Sequence, residues 1–257
     1  MSSILISLSA CLGNVVDAII VGNLVGEDGV SAINLTRPVV QFMFTLSMLV
    51  ATGAAMLVGI EIGKKDMARA THIYTVSVGA SLAIGLLLML MGIFIPSTVT
   101  GWLCENEQLF PLTYDYLRVM LIGAPAYMVV WGIDMMVGVD GSPRLVSLAI
   151  VIDNAVNLCC DIVFIQLLGW GIEGSSTATV VGHIVGILVM CRHYMYPDNH
   201  LRLSLGGEKI IQTLRNIISE GAPLAIASVC LTLLLFMPTV SCSALWVVRV
   251  SLPLPFV

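Results

Sequence analysis

Charge is scarce in this sequence. Only 11% of its 257 residues are Asp, Glu, Lys or Arg, against about 25% in a soluble globular domain. That scarcity excludes a soluble fold, and the net charge of −5 gives no reason to expect a nucleic-acid partner. Paired cysteines are missing as well. The seven cysteines, at 11, 104, 159, 160, 191, 230 and 242, include no C-x-x-C pair, which leaves no disulfide framework and no metal cage; most sit in apolar runs as small hydrophobes. Catalytic signatures are absent too: there is no nucleophile elbow, no H-E-x-x-H and no phosphate loop. Asp140-Gly141-Ser142-Pro143-Arg144 comes near the D-G-x-x-A-R of membrane phosphotransferases, but the Ala-Arg step is lacking and Met136 stands where a further aspartate belongs. No enzyme activity and no cofactor are expected. A charged leader with a small-residue cleavage site is also missing, so the first apolar segment is expected to stay in the membrane.

What remains is apolar. Hydrophobic residues make up 58% of the chain and mean hydropathy is +1.00. Runs of about 20 apolar residues recur, each long enough as a helix to cross roughly 30 Å of hydrocarbon. The expected spans are 1–22, 38–62, 72–95, 113–139, 147–166 and 173–191. Pro38 opens the second, Pro96 ends the third and Pro125 kinks the fourth. Residues 169–174 form a tight turn. A polar stretch, 192–220, holds a surface helix over Lys209–Ser219, and a seventh span starts near Gly221. The fold class is therefore all-α: a polytopic transmembrane bundle of six helices plus part of a seventh, embedded in the lipid bilayer. Its parts are a lobe over 1–191, a cytoplasmic linker over 192–220, and a partial helix with an irregular tail over 221–257.

Orientation follows from the basic residues, which favour cytoplasmic loops. With a cytoplasmic N-terminus, Lys64, Lys65, Arg69, Arg144, Arg192, Arg202, Lys209 and Arg215 lie inside, and only Arg37, Arg118 and Arg249 lie outside. A multi-pass protein of the plasma (inner) membrane is expected.

The informative stretch is 147–166, whose middle carries Asp153, Asn154, Asn157 and Asp161. At 100° per residue Asn154, Asn157 and Asp161 fall within about 60° of one another, with Asp153 beside Asn157. A carboxylate in a span costs at least about 2.5–3.5 kcal/mol, so it should face a partner, a cavity or an ion. The first span carries Asn14 and Asp17 one turn apart, and Thr179 is available from the sixth. Asp17, Asn157, Asp161 and Thr179 together offer the oxygen set of a hard monovalent cation, or a carboxylate pair that shares a proton. Asn14, Asp153 and Asn154 are candidate supporting groups. The competing reading is interhelical hydrogen bonding alone. Asp134 is expected to reach water at the end of its span, Glu61 to sit on a solvated helix end, and His183 to bond between helices.

Residues 13–38 (Gly-Asn-Val-Val-Asp-Ala-Ile-Ile-Val-Gly-Asn-Leu-Val-Gly, then Ala32, Asn34 and Pro38) resemble the first helix and loop of the multidrug and toxic compound extrusion (MATE) family. The resemblance continues in Gly-Lys-Lys-Asp-Met-Ala-Arg-Ala at 63–70, Asp-Gly-Ser-Pro-Arg at 140–144, Asn154-x-x-Asn157-x-x-x-Asp161, Gly169-x-Gly171-Ile-x-Gly174 and Ala178-Thr179. It implies export of organic cations or amphipathic drugs driven by Na+ or H+, on a fold of two six-helix lobes related by an axis along the membrane normal. By position, Asp17 matches the family's first-helix aspartate, Asn157 and Asp161 its fifth-helix pair, and Thr179 its sixth-helix hydroxyl. The resemblance covers one lobe and part of the next helix. The second, C-terminal lobe is expected to be required, and the sequence after about Met237 reads as a frameshift or truncated gene model. Two other functions are open: a lipid-intermediate flippase of the same superfamily, and a non-transporting membrane subunit.

Overall fold

The computed structural model describes residues 22, 23, 25–195, 199, 201, 203 and 210–251, the last part from 231 as backbone alone. Among these residues every regular element is a helix. The first span, with Asn14 and Asp17, lies outside the described residues.

The second span is longer than its apolar run. Helix α1, Glu27–Gly63, has 37 residues and places Pro38 inside it rather than at its start. Glu27 and Asp28 open the first turn, where acidic groups meet the positive end of the helix dipole. Packing carries the helix through Pro38, which removes only one backbone donor. After Lys64–Asp66 comes α2, Met67–Phe94, capped by the Asp66 side chain, which accepts the Arg69 backbone N–H at 3.1 Å. Pro96 ends this run as expected and becomes the first residue of the short helix α3, Pro96–Leu103.

The kink expected at Pro125 is a break. α4, Phe110–Ile122, and α5, Ala124–Val139, are bent by 52° at Gly123. Two glycines let neighbours approach the break closely. A Cβ on Gly85 of α2 would lie 2.9 Å from the Pro125 nitrogen, and one on Gly123 would lie 2.9 Å from Val180 Cγ1.

α6, Pro143–Asp161, continues into a π-helical turn, Ile162–Leu167. Gly169 (φ 67°) and Gly171 (φ 58°) then reverse the chain in the left-handed region that glycine tolerates. α7, Ile172–Met190, returns antiparallel to α6 and ends in a 3₁₀ turn, Cys191–Met195. The surface helix expected over Lys209–Ser219 and the span expected from Gly221 run together in α8, Ile210–Ser251. Gly53 and Gly221 explain this: α8 crosses α1 there, with the Gly221 nitrogen 2.8 Å from where a Gly53 Cβ would stand, and that contact holds the helix on course past Pro223.

Among the described residues, four continuous helical stretches and the bent pair are long and apolar enough to cross a bilayer. Their outer faces carry large apolar side chains such as Leu87, Phe94, Leu167 and Leu188, which suits lipid rather than water. Inside, Met43, Leu117, Leu121 and Met128 fill one core between α1, α4 and α5, and Val130, Ile133, Val146 and Met190 fill another between α5, α6 and α7.

Candidate functional site

The polar seam of this bundle runs between α6 and α7. Because the two helices are antiparallel, residues that sum to one number stand level, and each step of four residues raises the level by about 6 Å. Asn157 Nδ2 donates to Thr179 Oγ1 at 3.1 Å, and the Thr179 hydroxyl donates to Ser175 O at 3.2 Å. One turn away, His183 Nδ1 lies 2.9 Å from Asp153 Oδ2. The same register puts Asp161 level with Ser175, and both are buried, at 0% and 1% exposure. The seam is thus a ladder of facing pairs.

Asp161 is the last α-helical residue before the π-helical turn. The wider turn is fixed by the Leu168 N–H donating to Val163 O at 3.0 Å and by Phe164 stacking on Trp170, 5.1 Å between ring centroids. Such turns re-aim side chains and occur often at working sites. Asp161 accordingly lies toward one end of the span rather than at its middle, about 12 Å along the axis from Asp153.

The ladder sorts the expected site residues. Asn157 and Thr179 meet directly, and Asp161 stands on the next level. Asn154 does not join them: its Nδ2 donates to Ile150 O at 2.8 Å within its own helix. Asp153 is paired with His183. Gly182 admits this pairing, since a Cβ there would stand 2.9 Å from the Asp153 carbonyl oxygen. Asp17 and Asn14 lie outside the described residues.

Two readings of single residues change, and one residue is new. Asp134 does not snorkel to water; its Oδ1 is buried without a hydrogen-bond partner among the described residues, because α5 is covered on this face by α6 and α7. Glu61 is 5% exposed rather than on a solvated end, and its Oε1 pairs with Lys64 Nζ at 3.1 Å and Arg69 Nε at 3.7 Å. His193, which the sequence did not single out, is buried where the chain leaves α7. Its Nε2 lies 2.8 Å from Asp140 Oδ2 and its Nδ1 3.1 Å from Ser142 Oγ. Asp140 Oδ2 also accepts the Leu201 backbone N–H at 3.1 Å, and Tyr194 meets Tyr74 of α2 hydroxyl to hydroxyl. The Asp140–Arg144 segment is therefore a clasp. The signal that could have revealed it was weak: an isolated histidine 53 residues from its partner.

Chemically, the seam offers carboxylate, amide and hydroxyl oxygens on two facing helices, which suits Na+ or a proton. Among the described residues no group of three His, Cys, Asp or Glu side chains could hold a metal ion.

An apolar helical bundle with span-length helices and large apolar side chains on its outer faces defines a multi-pass integral membrane protein. Comparison gives the family. The MatE family model matches residues 3–163, and the chain belongs to that family. The multidrug export protein MepA of Staphylococcus aureus is 20% identical over 214 residues, 83% of this chain and 47% of that protein. MepA of Staphylococcus saprophyticus is 21% identical over 199 residues, 77% and 44% respectively. In fold, the chain is similar to a MOP superfamily transporter from Pyrococcus furiosus (TM-score 0.82, 21% identity, 91% of this chain and 52% of that one). It is also similar to a MATE transporter in its straight conformation (TM-score 0.79, 24% identity, 90% and 52%). The chain spans about half the length of the relatives it matches.

Proposed function

We propose that this chain is the N-terminal lobe of a secondary active exporter that moves organic cations or amphipathic drugs in exchange for Na+ or H+. Asp161, Asn157 and Thr179, completed by Asp17 from the first span, bind the coupling ion. The observation that carries this reading is the buried Asp161 on the level next to the Asn157–Thr179 bridge. A carboxylate is kept in an apolar bundle, beside an amide and a hydroxyl on facing helices, at a cost that packing does not require. The ion would take oxygens from both helices, so loading and release bias how α6 and α7 sit together. Membership of a family whose relatives include multidrug exporters supports the substrate class.

The proposed division is a lobe over 1–191, a linker over 192–220 and the start of a second lobe from 221, which would complete the drug pathway. Helix ends support the orientation. Lys64, Lys65, Arg69, Arg144 and Arg192 gather at one end of the bundle, and Glu27, Asp28, Glu105, Glu107 and Glu173 at the other. The basic end is assigned to the cytoplasm of a cell with this protein in its plasma membrane.

The test is thermal unfolding of the purified protein in Na+ against K+ and at neutral against mildly acidic pH. Ligand binding to the native state raises its stability by mass action. The wild type should gain stability from Na+ or from the proton, and Asp161→Asn should lose that gain. An equal response from both proteins would leave the seam as interhelical packing.

A further inference from the structure

One turn deeper than the proposed coupling site, three titratable side chains from three helices converge, and the mechanism above uses none of them. Asp153 of α6 and His183 of α7 are paired at 2.9 Å, with side chains 17% and 15% exposed. Asp134 of α5 lies within electrostatic reach of Asp153. His183 Nε2 and Asp134 Oδ1 are both buried with no hydrogen-bond partner among the described residues. Tyr127 closes the cluster, its ring meeting the His183 ring edge-on at 5.3 Å and 67°. Tyr127, Trp131 and Asp134 follow one another at i, i+4 and i+7 on one face of α5.

We propose that Asp134, Asp153 and His183 form a proton-binding site distinct from the coupling-ion site. The neutral imidazole donates Nδ1–H to Asp153 Oδ2, and this leaves the buried Nε2 lone pair without a partner among the described residues. A proton taken up at Nε2 turns the pair into imidazolium and carboxylate. The cluster then holds two acids against one cation instead of two acids against none, a large change in an apolar surround. No bond to carbon changes and nothing is oxidised; the proton comes from water and returns to it.

Among the described residues, the surrounding charges leave that proton to these three groups. On α7 itself the nearest acid is Glu173, ten residues away near the helix start. On α6 the neighbour is Asp153, and on α5 Asp134 and Tyr127. α4 also packs on α7, but its end at Gly123 already touches Val180. Asp115 and Arg118 therefore lie further toward the α7 N-terminus and interact with each other. In the 3₁₀ turn, Arg192 is exposed and His193 is held by Asp140. Glycine builds the pocket tight: Gly182 presses on the Asp153 backbone, and a Cβ at Gly186 would stand 3.5 Å from Asp153 Oδ2.

The test is NMR of the full chain in detergent micelles with ¹⁵N-labelled histidine side chains, followed over about pH 5 to 9. His183→Gln assigns the signal by its disappearance. We expect the His183 signal to pass from one neutral tautomer to the imidazolium. Asp134→Asn or Asp153→Asn should weaken its proton affinity about tenfold, while Asp161→Asn should leave it within about twofold, which separates this site from the coupling-ion reading. A His183 signal that stays neutral across the range overturns the proposal in the wild type alone. So does a midpoint that neither Asp134→Asn nor Asp153→Asn moves.

Discussion

Two aspartate–histidine pairs stand among the described residues, and they differ in one nitrogen. At the end of the bundle, His193 engages both ring nitrogens, one with Asp140 at 2.8 Å and one with Ser142 at 3.1 Å, and Asp140 accepts a further backbone N–H. In the middle, His183 engages Asp153 at 2.9 Å and leaves Nε2 buried without a partner among the described residues. A fully satisfied buried network fixes structure, whereas a half-satisfied one leaves a costly polar atom with capacity for one more partner. The first pair clasps the chain as it leaves α7. The second stands on the seam one level from the proposed coupling-ion site.

Substitutions sharpen the contrast. His193→Ala should have the largest effect on folding, about 3 kcal/mol, because it takes from buried Asp140 its imidazole partner and from Ser142 its ring contact, leaving only part of the network; chemical denaturation in micelles measures it. Gly182→Ala should follow, at about 2 kcal/mol, since the added methyl meets the Asp153 backbone and forces α6 and α7 apart. Gly186→Ala is its control, because a Cβ there meets ordinary contact distances of 3.4–3.6 Å and should be tolerated. Asn157→Ala removes the bridge to Thr179 and should cost about 1 kcal/mol. Asn154→Ala should cost less than about 0.5 kcal/mol, because Asn154 bonds only to its own helix. Equal costs for the two asparagines would remove the distinction between the bridging and the non-bridging amide.

The order of the spans was legible because it rests on local properties. Long apolar runs, Pro96 as a stop, Pro125 as a bend and the glycines of 169–174 each act within a few residues. The ladder was legible in part. Four-residue spacing placed Asn157 and Asp161 on one face; Thr179 was available from the neighbouring helix and matched by the resemblance, and its contact with Asn157 is a tertiary fact. The same periodicity grouped Asn154 with them, although its side chain turns back to Ile150; angular position does not decide between a neighbour and the backbone. Asp134 and Glu61 were read from their distance to a helix end, but burial depends on which helices cover them, which is a tertiary fact. His193 was invisible for that reason, as its partners stand 51 and 53 residues away. Pro38 was read as a helix start because it commonly is one, yet packing carries α1 through it. The π-helical turn after Asp161 leaves no local mark in Ile-Val-Phe-Ile-Gln-Leu.

The central claim is that the level holding Asp161 takes the coupling ion while the Asp153–His183 level serves separately. The most direct measurement compares thermal unfolding of wild type, Asp161→Asn and His183→Gln in Na+ and in K+ at one fixed pH, so that proton uptake at His183 is the same throughout. The account predicts an ion-dependent gain in stability that Asp161→Asn abolishes and His183→Gln retains. A gain that survives Asp161→Asn, or one that His183→Gln abolishes, would contradict it.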